Sequence, residues 1–81
     1  MKACIYVKLR SSVLDPQGKA VHMGLETLGF TNVKDVRVGR FIEMQMDDGT
    51  DKDKAHAMVK DMCEKFLVNM VIEDYSFTIE G

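Results

Sequence analysis

The chain has no tryptophan, a single proline and two cysteines among its 81 residues. Cys4 and Cys63 stand far apart with no CxxC pair, so the sequence offers no zinc framework, dithiol redox motif or copper-chaperone site. No apolar run approaches the length of about 20 residues that a membrane-spanning helix needs. No signal-peptide pattern precedes the first strand-like segment, and we expect a cytoplasmic protein with reduced thiols. The six glycines are dispersed, with neither GxGxxG nor GxxxxGK[ST], so the chain alone has no loop for nucleotide phosphates. Positive charge is not in surplus either. Lys and Arg number 11 against 13 Asp and Glu, and the isoelectric point near 5.6 argues against a surface built to neutralise nucleic-acid phosphates.

What is present is a balance of 46% apolar and 30% charged residues, which suits a globular domain rather than a disordered tail. A chain of this size buries roughly 60% of its unfolded surface. That supports one thin core and leaves no room for a second, substrate-binding domain. No linker, internal repeat or low-complexity run interrupts it, and residues 1–81 are expected to form one domain.

The first segment, Lys2 to Arg10, alternates: Ala3, Ile5, Val7 and Leu9 fall on one face, and Lys2, Cys4, Tyr6, Lys8 and Arg10 on the other. This predicts a strand whose second face, carrying Cys4 and Tyr6, is open to cover by another subunit. Asp15 followed by Pro16 predicts a helix start, because the carboxylate can accept a free N–H and proline loses nothing at the first helical position. Ala20, Val21, Leu25 and Leu28 make its apolar stripe, and Gly29 is the expected C-terminal stop. Gly18 and Gly24 inside it each cost about 1 kcal/mol relative to Ala, which implies that something packs close there.

Val33 to Asp47 reads as a hairpin near Gly39-Arg40. A two-residue loop would put Val36 and Val38 on the face opposite Ile42, Met44 and Met46. A loop or bulge over Gly39 to Phe41, with Val38 opposite Ile42, keeps one apolar face and is the expected register. Asp48-Gly49 predicts a turn, and Thr50 with Asp53 a variant capping box. Ala55, Met58, Val59, Met62 and Phe66 then recur at helical spacing. A last strand runs from Val71 to Ile79, with Tyr75, Phe77 and Ile79 on one face. The order strand, helix, strand, strand, helix, strand is the ferredoxin-like βαββαβ pattern, an α+β fold whose antiparallel sheet carries both helices on one face.

Chemistry is sparse in this layout. His56 and Cys63 lie seven residues apart on one helix, roughly 10 Å along its axis, too far for a nucleophile and its base. His22 or Cys4 could complete a pair through space, but cysteines at strand and helix positions read as small buried hydrophobes. Asp47, Asp48, Asp51 and Asp53 lack the spacing, central Gly and closing Glu of a calcium loop. They suit a turn and a helix N-terminus, where carboxylates meet free N–H groups. Met44, Met46, Met58 and Met62 fall on the core stripes as flexible gap fillers. Val38 to Ile42 has a faint likeness to the aromatic strand of an RNA-recognition module, but Met44 fills its second aromatic position and the chain is acidic. Arg37 and Arg40 have two readings, a solvated loop or anchors for a partner's carboxylates.

Three runs together carry a further signal: VLDPQGKAV from Val13 to Val21, VRVGRFIE from Val36 to Glu43, and CEKFLVNMVIEDYSF from Cys63 to Phe77. With LGF at Leu28 to Phe30, they give a sequence that resembles the PurS family over nearly its whole length. Met70 stands where a proline is common in that family. The resemblance implies a non-catalytic small subunit of phosphoribosylformylglycinamidine synthase, the ligase complex that converts formylglycinamide ribonucleotide, glutamine and ATP to FGAM, glutamate, ADP and phosphate in purine biosynthesis. It implies a bridge between a glutaminase subunit, PurQ, and a synthetase subunit, PurL, that assists ammonia transfer, and self-association as homodimers or homotetramers. ATP and Mg are then used by the PurL partner, and this chain holds no catalytic, cofactor or metal site. The candidate partner contacts are Arg37, Arg40, Phe41 and Glu43, with Asp15, Pro16 and Gln17 as a second cluster. A different class also fits the fold, a small-molecule-sensing regulatory domain with a ligand held between subunits, although no pocket can be named for it.

Overall fold

The alternating segment at the start of the chain becomes the middle of the sheet. In a computed structural model that describes residues 1–49 and 51–81, β1 (Lys2–Leu9) lies between β2 (Arg40–Gln45) and β3 (Glu73–Glu80), antiparallel to both. Ile5 pairs with Ile42 and Phe77, and Ala3 with Met44 and Ile79. Directly opposed residues share a face of the pleat, so these rows form one apolar surface. Cys4 and Tyr6, paired with Glu43 and Phe41 on one side and Thr78 and Ser76 on the other, form the opposite one.

Two helices complete the order β-α-β-α-β, the antiparallel α+β architecture expected from the pattern. α2 (Lys52–Met62) covers the apolar surface. Val59 and Cys63 are fully buried and pack with Ala3, Ile5, Val7 and Val68, with Ile42, Met44, Met46, Tyr75, Phe77 and Ile79 around them. Asp51 caps the helix by accepting the N–H of Asp53 at 3.3 Å. Thr50, half of the expected capping box, lies outside the described residues.

The stripe of α2 departs from its predicted course at its end. Cys63–Leu67 forms a π-helical turn, closed by the N–H of Val68 donating to the carbonyl of Cys63 at 2.9 Å. One extra residue in that turn shifts the facing pattern. Cys63, Leu67 and Val68 therefore take the core side, while Phe66 is 87% exposed and Met58 is also exposed.

The expected fourth strand does not form in this chain. Residues 33–39 run beside α1 (Pro16–Thr27) and the 11–13 loop, and hold to these by a few specific hydrogen bonds instead of pairing on a sheet edge. The Val38 N–H goes to the Asp15 carboxylate at 2.8 Å, the Val33 carbonyl meets His22 Nε2 at 2.7 Å, and Arg37 donates to the carbonyls of Val13 and Ser11 at 2.6 and 3.1 Å. Gly18 lets this segment approach: a Cβ there would sit 2.2 Å from the Val36 carbonyl oxygen. Gly39 does the same at the sheet, where a Cβ would meet the Val7 oxygen at 2.1 Å. The expected bulge over Gly39 to Phe41 is accordingly absent. Arg40 and Phe41 already pair in register with Val7 and Tyr6.

α1 starts and stops as the sequence dictates, with Asp15 as cap, Pro16 at its first turn and Gly29 at φ 97° beyond Leu28. It stands away from the sheet, however, and makes no extensive contact with any other element. Val21 and Leu28 of its stripe are exposed, and nothing lies within 4 Å of Gly24. The result is elongated, 50 × 26 × 14 Å with a radius of gyration of 16.1 Å, where a compact domain of this length would have about 12 Å.

Candidate partner-contact surface

The two clusters singled out in the sequence meet where α1 begins and β1 ends. Pro16 and Gln17 form one wall of an open groove of ≈ 290 Å³, and Lys8, Gly39, Arg40 and Glu73 line the rest. Asp15 lies at the seam and is buried. Its Oδ1 accepts the Gly18 N–H at 2.9 Å and its Oδ2 the Val38 N–H. These bonds, with the Arg37 guanidinium nearby, hold its carboxyl below the usual carboxylate range despite burial. Asp15 thus fixes the direction in which α1 leaves the sheet, and its charge is already satisfied within the chain.

Arg40 reaches across to Glu73, 2.6 Å from its Oε1. The backbone N–H of Asn69 also donates to that carboxylate at 2.8 Å, and together they keep the Glu73 carboxyl low. Half of the Arg40 side chain remains open to solvent. Arg37 is used differently: its donors face the loop carbonyls of Ser11 and Val13 and its Nε lies 3.7 Å from Asp35. It braces the 11–13 loop against the extended segment. Phe41 packs on Tyr6, ring centroids 5.2 Å apart, and both rings are about half exposed on the sheet surface that α2 leaves open. Glu43 lies on that surface opposite Cys4. A wide depression of ≈ 480 Å³ adjoins the two rings, with Lys8, Arg40 and Asp74 at its margin.

The groups with chemical potential are engaged elsewhere. Cys63 is fully buried, and burial pushes its thiol up from the ordinary value, which suppresses the thiolate. His56 packs on Phe77 with ring centroids 4.8 Å apart, and His22 faces Val33 and, at 3.4 Å, Glu26. Tyr75 donates its hydroxyl to Glu64 at 2.8 Å, and burial together with that carboxylate pushes it up to about 12. The acidic run divides between structural tasks: Asp48 pairs with the N-terminal amine and Asp51 caps α2. Among the described residues no three His, Cys, Asp or Glu side chains converge as metal ligands, and no helix is long and apolar enough to cross a membrane.

Sequence periodicity missed the exposure of the α1 stripe and of Phe66. The interior glycines of α1 pointed instead to close packing, which Gly18 meets against Val36 and Gly24 does not. Nothing in the spacing could reveal the π-helical turn behind the exposed Phe66.

Comparison with known proteins agrees with this surface-rich architecture. Residues 2–81 match the family described as PurS: Phosphoribosylformylglycinamidine (FGAM) synthase. The Bacillus subtilis phosphoribosylformylglycinamidine synthase subunit PurS is 46% identical over 79 residues, covering 98% of this chain and 92% of that protein. The crystal structure of Methanocaldococcus jannaschii PurS, described as one of the subunits of formylglycinamide ribonucleotide amidotransferase, superposes with a TM-score of 0.83 at 38% identity, over 98% of this chain and 94% of that one. A chain in the structure of PurLQS from Thermotoga maritima gives 0.84 at 36% identity, over 95% and 93%. With sequence and fold matched over essentially its full length, the chain belongs to the PurS family of FGAM synthase subunits.

Proposed function

We propose that residues 1–81 act as one non-catalytic unit of FGAM synthase, bridging a PurQ-like glutaminase and a PurL-like synthetase in the cytoplasm and helping ammonia pass between them. The observation that carries this reading is the likeness to a chain of the T. maritima PurLQS assembly. The local chemistry supports it. The thiols are buried and both imidazoles are engaged with the fold, whereas apolar side chains are displayed along α1 and beyond α2. ATP and Mg belong to the PurL-like partner in this scheme.

Bridging has a physical rationale. Ammonia released into water at neutral pH is largely protonated and loses its nucleophilic lone pair, so a route that excludes solvent preserves the reactive form. Pro16, Gln17, Arg40, Phe41 and Glu43 are the proposed contacts, with Asp15 and Arg37 setting their placement. Self-association as a homodimer or homotetramer is supported by complementary deficits. The exposed stripe of α1 has no sheet to cover, and Ile42, Met44 and Met46 are only partly buried on the β2 side. No observation favours the ligand-sensing alternative, since the grooves are open and Arg40 and Glu73 already pair within them.

The test is reconstitution with purified PurQ-like and PurL-like subunits. Glutamine-driven FGAM formation should require this chain, whereas turnover driven by added ammonium should persist without it. Full glutamine-driven turnover in its absence would overturn the reading.

A further inference from the structure

Residues 34–46 read as one long strand that is paired only over its second half. β2 is an edge strand, with β1 on one side of it. The Met46 N–H donates to the Met1 carbonyl at 2.7 Å, so the even-numbered residues here turn their backbone groups towards β1. By the alternation of an antiparallel ladder, Glu43 and Gln45 turn theirs outward. The segment before β2 divides in the same way. The Val36 carbonyl oxygen stands against Gly18 and the Val38 N–H is bonded to Asp15, which leaves the backbone groups of Asp35 and Arg37 on the side away from α1.

These two outward edges fit one another. Laid antiparallel, odd-numbered residues of the segment meet odd-numbered residues of β2, so donors and acceptors face each other. The same parity puts Val36 and Val38 on the face of Ile42 and Met44. Charge then selects the register. With Val38 opposite Ile42, Arg37 stands opposite Glu43. The next registers of the same parity put Asp35 opposite Glu43 or opposite Asp47, and directly opposed like charges destabilise a pair. One chain cannot make this pairing with itself. Arg40 and Phe41 are already in the ladder opposite Val7 and Tyr6, and Val38 is bonded to Asp15. Gly39 alone is left to turn, where the shortest common hairpin has a two-residue loop.

We propose that a second copy of the chain supplies the missing strand. Residues 34–46 of two chains pair antiparallel about a two-fold axis at Arg40, and the 35–38 segment of each extends the sheet of the other beside β2. This deepens the self-association proposed above and rests on it. The two Arg40 side chains meet at the axis with their charges already matched, each by its own Glu73 at 2.6 Å. The added strand also brings cover for its far edge, because α1 lies there through Gly18 and Asp15. This interface therefore closes at two chains.

Cysteine cross-linking tests the pairing and its register. Opposed residues of a non-hydrogen-bonded pair have Cα atoms about 4.5 Å apart, within the roughly 4.4–6.8 Å that a disulfide spans. Under mild oxidation Arg40→Cys should form a covalent dimer by itself. Val38→Cys and Ile42→Cys should form one when co-expressed and not separately. The parent chain, whose Cys4 and Cys63 are buried, should form none. Absence of both cross-links in chains that still self-associate, or a covalent dimer from Phe41→Cys in place of Arg40→Cys, would overturn the exchange while leaving self-association standing. A parent chain that is monomeric by light scattering would overturn self-association and the exchange with it.

Discussion

Replacing Gly18 with alanine tests the joint between α1 and the sheet. In a free helix the change would be favourable by about 1 kcal/mol, because glycine has more backbone freedom to lose. Here the added Cβ would stand 2.2 Å from the Val36 carbonyl oxygen, 3.0 Å from its carbon and 2.9 Å from Asp15 Oδ2. Two of these three are backbone atoms, so no rotamer change relieves the overlap. An ordinary carbon–oxygen contact needs about 3.3 Å or more, and α1 or the 33–39 segment must move by roughly 1 Å. Val38 loses its place on Asp15 as a result. Overpacking of this kind costs about 1–3 kcal/mol, and more when backbone has to shift. After subtracting the helix gain of about 1 kcal/mol, Gly18→Ala should destabilise by up to about 2 kcal/mol, towards that upper value because backbone has to shift. For a domain of this size, each kcal/mol moves the melting temperature by about 4–8 °C. Thermal unfolding at one fixed chain concentration would show a drop of that order. A variant that melts at or above the parent temperature would refute the close approach of Val36 to α1.

Leu28→Asp changes a residue that is 74% exposed in the single chain, so it should leave the circular dichroism spectrum intact while shifting the mass towards monomer; an unchanged oligomer would exclude the α1 stripe from self-association. Acid should destabilise the fold through Asp15 and Glu73. Both have folded carboxyls held below their ordinary range, so their contribution is full above about pH 4–5 and is lost as pH falls through the lowered values. Asp15→Asn should flatten that acid limb in a pH series of urea melts, and an equally steep limb would contradict it. At the alkaline end, Tyr75 titrates at about 12 in the folded chain and near 10 unfolded. Stability should therefore fall between about pH 10 and 12, and Tyr75→Phe should remove that loss, which a spectrophotometric tyrosine titration can follow in parallel.

The strands of the sheet were legible because alternation is local: Ala3, Ile5 and Val7 face the core as their spacing requires, and so do Tyr75, Phe77 and Ile79. The ends of α1 were legible for the same reason, since Asp15, Pro16 and Gly29 act through their own backbone. Residues 33–39 were not. Their apolar alternation fits a strand, but Asp15, His22 and Arg37 compete for contacts with that stretch and its neighbouring loop, and this competition is decided in three dimensions. Periodicity also assigned Phe66 to the core, because a 3.6-residue repeat assumes that the helix keeps its winding. The π-helical turn at Cys63 breaks that assumption. Of the candidate contacts, Arg40 and Phe41 lie exposed on the surface, whereas Asp15 and Arg37 turn inward to hold the frame. Sequence can name polar residues near a loop, but not whether their hydrogen bonds are already made.

Because α1 has so few neighbours in its own chain, its cooperativity with the sheet passes mainly through the Asp15 joint. A helix of 12 residues is marginal in water without tertiary support. Its far turns can therefore open and close without disturbing the strands. Contact with another chain along α1 would slow their backbone hydrogen exchange towards that of the sheet, so exchange along this one helix is expected to report any assembly that covers it.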